Sequence, residues 1–297
     1  MSKCKSNKKR KQKNKFPLSV IIVLIILVLI VAGSWAYFHP HEAQQYVKNW
    51  IEQVQDRPSH IVIPVPTTGD YDNLVFGIPG QADVIINREG YALGYSDYHE
   101  QATWVIYRMT REEAIAKIAR REDNFREDPE ITTGSATLAD YRGSGYDRGH
   151  LAPAADMSFS IKTMDESFYM SNMSPQRPAF NRGAWKRLEE QVRSFAITEG
   201  DVYVVTGPVL PQKKSLTIGA SQVTVPGSYY KVVWDRTEPQ KMIGFLLKND
   251  DTSKSLQTFA VSVDEVERVT GLDFFNLLPQ PQQEQLESTL TVDAWKW

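Results

Sequence analysis

The stretch YDRGHLAPAADM, Tyr146 to Met157, sets an acid, an arginine, a glycine and a histidine directly before small apolar residues. Two readings of His150 compete. In the first it is a polar residue in a glycine-rich turn, because Gly143, Gly145 and Gly149 leave the backbone free to turn tightly or to approach a ligand. In the second it is a base presented at the end of a strand. A lone histidine favours the first reading, so the weight falls on the next forty residues.

Downstream lies NMSPQRPAFNRGAWKRLEEQVRSF, a Pro-rich loop running into a helix near Asn181. Asn181 suits a helix cap. From it Trp185, Glu189 and Arg193 recur every fourth residue, which places all four on one helix face. A buried face would carry Leu or Val there. The bland account is a solvated face with a Glu189–Arg193 pair worth about a few tenths of a kcal/mol; the alternative is a polar face looking into a site. Between Arg142 and Arg193 eight Lys/Arg stand against six Asp/Glu, a local excess of positive charge.

That excess is notable because the chain is otherwise acidic. Its 34 basic and 36 acidic residues give −2 overall, but eight of the basic residues lie between Lys3 and Lys15; without them the remainder is about −10. A passive nucleic-acid binder is not built this way, so a polyanion would need a local patch. Residues 17–38 form an uncharged apolar run long enough to span a bilayer. With residues 1–16 as a basic cytoplasmic tail, the bulk of the chain is placed outside, in a single-pass cell-membrane protein with an extracytoplasmic domain. Cleavage near Ala36, releasing a secreted protein, is the competing reading. The one cysteine, Cys4, lies in the tail, so the exported part has no internal disulfide and depends on its core.

Residues 39–70 read as a short amphipathic helix and a linker with one extended piece, HIVIPV; a globular domain is expected over 71–297. ADVIINREGYALGYSD alternates around a turn at Arg88–Gly90 and predicts a hairpin. ATWVIYRMT, DVYVVTGPVL, YYKVVWD and KMIGFLLKN predict strands, and REEAIAKIARRED a helix. SVDEVERVTG has the cap and terminal glycine of a short helix. Strands and helices do not alternate, so an α+β fold with a central, mostly antiparallel sheet flanked by helices is expected.

Phosphodiester hydrolysis needs a base near neutral pH, a cation at the developing charge and an arginine on the phosphate. His150 supplies the first. The amide oxygen of Asn181 can serve as the sole protein ligand of a cation that keeps its waters. Glu189, about 12 Å further along the helix axis, suits a metal-bound water better than direct ligation.

DRGHLAPAADM, NMSPQ and NRGAWKRLE, with FGIPG, REGYALGY, TWVIYRM, REDNFREDP, YVVTGP, VPGSYYKVV and EVERVTGLDFF in the same order, resemble the sugar-non-specific DNA/RNA endonucleases with a ββα-metal site. The resemblance spans about residues 70–280. It implies a ββα-metal (His-Me finger) unit carrying His150 as general base and Asn181 as direct ligand of Mg²⁺, with Mn²⁺ as the alternative. It implies Glu189 on metal-bound water, Arg148 and Arg193 near the substrate, Asn172 organising the site, and an upstream arginine on the scissile phosphate, for which Arg121 is the match beside Arg120 and Arg126. Arg182 is assigned to the substrate with Arg193. The products implied are 5′-phosphate and 3′-hydroxyl ends. Partners are DNA and RNA through their phosphates, the membrane through residues 17–38, and a second copy of the chain as a homodimer. The competing functions are a narrower phosphodiesterase and a non-catalytic surface module binding nucleic acid.

Overall fold

The computed structural model describes residues 61–62 and 72–297; the basic tail, the apolar run at 17–38 and the amphipathic helix before Pro58 lie outside the described residues. Among the described residues no helix is long and apolar enough to cross a membrane.

An eight-stranded sheet forms the frame. In spatial order it runs β1 (Ile61–Val62), β2 (Val84–Asn87), β3 (Ala92–Ser96), β4 (Gln101–Thr110), β7 (Asp201–Val209), β10 (Ser228–Asp235), β11 (Lys241–Lys248) and β12 (Ala260–Val261). Every pairing is antiparallel except that of β1 with β2, where the extended piece of the linker adds a parallel edge strand. The expected α+β class and the hairpin about Arg88–Gly90 are both present. A separate antiparallel pair, β8 (Thr217–Ile218) with β9 (Val223–Thr224), lies in the connection between β7 and β10.

The sheet is buried on both faces, and side-chain alternation sorts its residues between two cores. Val105, Tyr107, Val202, Val204, Tyr229 and Val233 face one core, completed by Leu188, Val192 and Phe195 of a long helix. Trp104, Ile106, Tyr203, Val205, Tyr230, Val232 and Trp234 face the other, with Val263, Val266 and Leu286. Each fully buried Leu or Val contributes roughly 1.5–3 kcal/mol. In chain order the helices are α1 (Arg111–Ile115), α2 (Leu138–Tyr141), α3 (Ile161–Glu166), α4 (Lys186–Glu199), α5 (Val263–Thr270) and α6 (Gln280–Ser288). α5 begins at its Ser262 cap, which accepts from the Glu265 N–H, and ends at Gly271 in the left-handed conformation.

Two expectations are corrected. The helix expected over Arg111–Asp123 stops at Ile115: Ala116 turns extended, and the following Ile118 and Ala119 amides donate to the Ser158 carbonyl instead. The NMSPQ segment is not a loop: Met173–Gln176 is a strand, β6, pairing antiparallel with β5 (Asp147–His150).

Candidate active site

His150 is the last residue of β5, opposite Met173 of β6, and α4 comes next after a short helical entry. This is the expected ββα unit. Gly149 is needed here for approach, not for turning. A Cβ on it would sit 2.2 Å from the Gln176 side chain, whereas Gly143 and Gly145 are the two that carry positive φ in the preceding turn.

Asn181 is not the N-cap of the helix that follows. It has helical φ/ψ, and its N–H donates to the Arg177 carbonyl at 2.8 Å. A helical turn at Pro178–Phe180 runs into a π-helical turn at Asn181–Trp185, broken from regular dihedrals at Gly183. Insertion of that wide turn changes which residues share a face. Asn181, Glu189 and Arg193 line an open cavity of about 880 Å³, while Trp185 is fully buried beneath them. The Glu189–Arg193 pair does not form either. Arg193 Nε donates to Asp156 Oδ1 at 2.7 Å, and the Tyr107 hydroxyl donates to Asp156 Oδ2 at 2.9 Å. The Asp156 side chain is 0% exposed, so this arginine is held from below by a carboxylate that solvent does not reach.

The same cavity is lined by Arg121, Arg148, His150 and Arg182. Of the three upstream arginines only Arg121 lines it; Arg126 turns away to Asp165 and stacks over Tyr169. Its segment is anchored from both sides. The Arg126 N–H donates to the Phe168 carbonyl and the Met170 N–H to the Arg126 carbonyl, while buried Arg88 grips Asp128, which also accepts from Ser171. Asn172 does not line the cavity. It is wholly buried, takes the Ala152 N–H on Oδ1, and donates from Nδ2 to the Ala152 and Ser167 carbonyls. It thereby ties down the chain just past His150.

Aromatic rings set the histidine. Phe168 stands edge-on to its ring at 5.0 Å and Phe125 lies at 5.6 Å; Arg148 stacks on Phe125 at 4.2 Å and Arg121 on Phe168 at 5.3 Å. His150 is 9% exposed, and its Nε2 has no hydrogen-bond partner among the described residues. Burial first, and then the positive charges of Arg121 and Arg148, pull its pKa down to about 3. The imidazole is therefore neutral at physiological pH, and its Nε2 is left without a partner among the described residues.

Asp147, the first residue of β5, organises the opposite wall. It accepts from Asn181 Nδ2 at 2.9 Å and takes a two-point contact from Arg182 at 2.7 and 2.8 Å. With Nδ2 committed to Asp147, Asn181 has its Oδ1 left for a ligand. That oxygen and the Glu189 carboxylate are hard donors, the type that suits a divalent cation retaining most of its water. Burial raises the Glu189 carboxyl, opposed by the charges of Lys231 and Arg193. Around the cavity six Arg/Lys side chains face four carboxylates, an excess of positive charge suited to a phosphate backbone.

Sequence reasoning missed Asp147, Asp156, Tyr107, Phe125, Phe168 and Lys231. Asp147 and Asp156 left a signal, as letters of DRGHLAPAADM, and Tyr107, Phe125 and Lys231 stand in other quoted blocks without chemistry that marks them.

Comparison with known proteins identifies the family. The model of the DNA/RNA non-specific endonuclease family matches residues 69–281. Nuclease C1 of Cunninghamella echinulata var. echinulata is 39% identical over 221 residues, covering 69% of this chain and 88% of that enzyme. Human mitochondrial endonuclease G is 38% identical over 213 residues, 67% of this chain and 71% of the relative. The crystal structure of the EndoG/EndoGI complex, which describes EndoG inhibition, superposes with a TM-score of 0.65 at 34% identity, covering 71% of this chain and 93% of the solved one. The chain belongs to the DNA/RNA non-specific endonuclease family.

Proposed function

We propose that the protein is a membrane-anchored endonuclease that hydrolyses DNA and RNA with Mg²⁺, leaving 5′-phosphate and 3′-hydroxyl ends. The observation that carries this reading is a neutral, aromatic-clamped His150 with an unengaged Nε2 in the same cavity as Asn181, Glu189 and five arginines. Such a nitrogen takes the proton of an attacking water. Arg121, Arg148 and Arg193 clamp phosphate oxygens, and Arg193 arrives in a fixed orientation because Asp156 and Tyr107 hold it. Asn181 Oδ1 and Glu189 would hold the cation. Bound there, Mg²⁺ supplies charge stabilisation to the phosphate and the leaving oxygen. These contacts address phosphates and not base edges, which fits an enzyme indifferent to sequence and sugar.

The anchor is read from residues 17–38, and the basic tail before them supports an orientation with the catalytic domain outside the cytoplasm. Nucleic acid outside the cell is then the substrate. The test is cleavage of supercoiled plasmid and of a structured RNA by the full-length chain, with Mg²⁺ and with EDTA, and then end analysis of the products. Metal-dependent nicking of both substrates is expected. Full activity in EDTA, or 3′-phosphate ends, would contradict the mechanism. Protease shaving of intact cells tests the topology, and a fully protected domain would exclude it.

A further inference from the structure

Arg121 is an exposed side chain, yet its direction is fixed. Its Nε donates to Asp123 Oδ1 at 2.7 Å. Its guanidinium lies over the Phe168 ring, 5.3 Å from the centroid, and that ring meets His150 edge-on. Asp123 lines the same cavity and is itself held in an uncommon conformation. Its φ is 51°, in the left-handed region that most side chains avoid, although aspartate and asparagine tolerate it best. The Phe125 N–H donates to the Asp123 carbonyl at 2.8 Å and closes the turn. Backbone of this kind persists where its surroundings fix it, and it gathers at functional sites. The turn leads into Phe125, on which Arg148 stacks at 4.2 Å beside His150.

Neither stability nor charge accounts for Asp123. Its ion pair with Arg121 faces solvent, with the arginine and aspartate side chains 53% and 62% exposed, and such pairs add little. A carboxylate beside a phosphate site also repels the substrate, so on charge alone it weakens binding. What it supplies is direction. With Nε committed to Asp123, Arg121 Nη1 and Nη2 have no hydrogen-bond partner among the described residues and form a free planar fork, the shape that meets two phosphate oxygens at once. Arg193 is presented in the same way, its Nε on Asp156 Oδ1 at 2.7 Å. Arg182 is not: Asp147 accepts from both its Nε and its Nη2.

We propose that Asp123 is a positioning residue for the hydrolysis: it holds Arg121 by Nε, so that the terminal fork of the guanidinium faces the scissile phosphate beside His150. This rests on the nuclease reading given above. Asp123 touches neither the substrate nor the reacting atoms; it acts through Arg121. Its hydrogen-bond acceptor matters more than its charge, which separates it from an ordinary surface ion pair.

The test uses the full-length chain with Asp123→Asn, which keeps an acceptor and suits the left-handed backbone, and Asp123→Gly, which suits that backbone and removes the acceptor. Each is made alone and with Arg121→Ala. They are read by kcat and KM on plasmid DNA in Mg²⁺, by thermal melting, and by water exchange of the Arg121 Nε–H in ¹⁵N NMR. Asp123→Gly is expected to lower kcat by roughly tenfold while KM rises by no more than about twofold, because a misdirected clamp loses transition-state contact and a removed anion costs no binding. Asp123→Asn is expected to keep kcat within about threefold of the wild type. With Arg121→Ala in place, Asp123→Gly should cost no further activity. Melting should move by no more than about 2 °C in either single Asp123 variant. The Arg121 Nε–H should exchange faster in Asp123→Gly but not in Asp123→Asn. An unchanged kcat in Asp123→Gly, an equal loss in Asp123→Asn, or an equal loss without Arg121 would each overturn the proposal. So would Nε–H exchange that is the same in the wild type and Asp123→Gly, or a larger melting loss in Asp123→Gly, since Asp123 would then matter to the turn alone. If the wild type cleaves no nucleic acid, the nuclease reading fails, and the exchange measurement still shows whether Asp123 holds Arg121.

Discussion

His150 and Glu189 line one cavity, and burial drives both toward their uncharged forms. Their neighbours separate them. The histidine has Arg121 and Arg148 close by, and their charges add to burial, so it stays neutral. The glutamate has Lys231 and Arg193, whose charges oppose burial and favour the carboxylate. One wall is a ring-lined slot holding a neutral base, and the other is a row of alternating charges. The difference lies in the neighbours: burial is the larger influence on both groups, but the cations beside the histidine add to it and those beside the glutamate work against it.

Variants of each wall should break differently. His150→Ala removes the base from the slot and is expected to lower kcat by about 10²- to 10⁴-fold with little change in melting, measured by single-turnover cleavage. Asp156→Ala acts on the other wall. It strands half-buried Arg193 and the buried Tyr107 hydroxyl, so a loss of roughly 2–4 kcal/mol of stability is expected in denaturant titration, along with weaker substrate binding. Phe125→Leu keeps the slot apolar but removes the ring under Arg148 and beside His150. A fall in kcat of severalfold is expected, with stability lowered by about 1–2 kcal/mol.

The smallest effect lies away from the cavity, where α5 and α6 bring carboxylate oxygens of Asp264, Glu267 and Glu287 within 4.8 Å of one another. Burial first, and then neighbouring acids, push Glu287 up to about 8; burial likewise pushes Glu267 up to about 7. Folded pKa values above the unfolded ones mean that this stabilisation is complete below pH 4.5 and is lost as pH rises through about 7–8. Glu287→Gln is therefore expected to melt a few degrees above the wild type at pH 8.5, and the gain should vanish by pH 5. A gain independent of pH would contradict the assignment.

Much of this was legible in the sequence. Alternation in the strand segments and the lack of βαβ rhythm gave the α+β sheet, and the ordered motifs gave His150, Asn181 and Glu189 before any geometry was known. What escaped depends on contacts distant in the chain. Tyr107, Asp156 and Lys231 come from separate elements, and only sheet order and strand parity bring them beneath α4. Phe125 and Phe168 carry no spacing that marks them in the sequence, and only the pairing of Arg126 with the Phe168–Met170 segment sets both beside His150. Spacing by four misplaced Trp185, because a π-helical turn with an irregular Gly183 cannot be read from a regular helical period. The α1 helix ended early because Ile118 and Ala119 found a tertiary acceptor in the Ser158 carbonyl, which local propensity does not contain.

The neutral base is the centre of this account, and its protonation can be observed directly. The chain has five histidines. With ¹⁵N-labelled histidine and a His150→Gln variant for assignment, the ring nitrogens of His150 can be tracked by NMR in the metal-free protein from pH 8 downward. His150 is expected to remain neutral throughout the range from pH 8 to pH 5, consistent with a pKa near about 3. Titration at or above the ordinary histidine value of about 6.5 would contradict the account, because burial and the two arginines would then not be lowering its proton affinity.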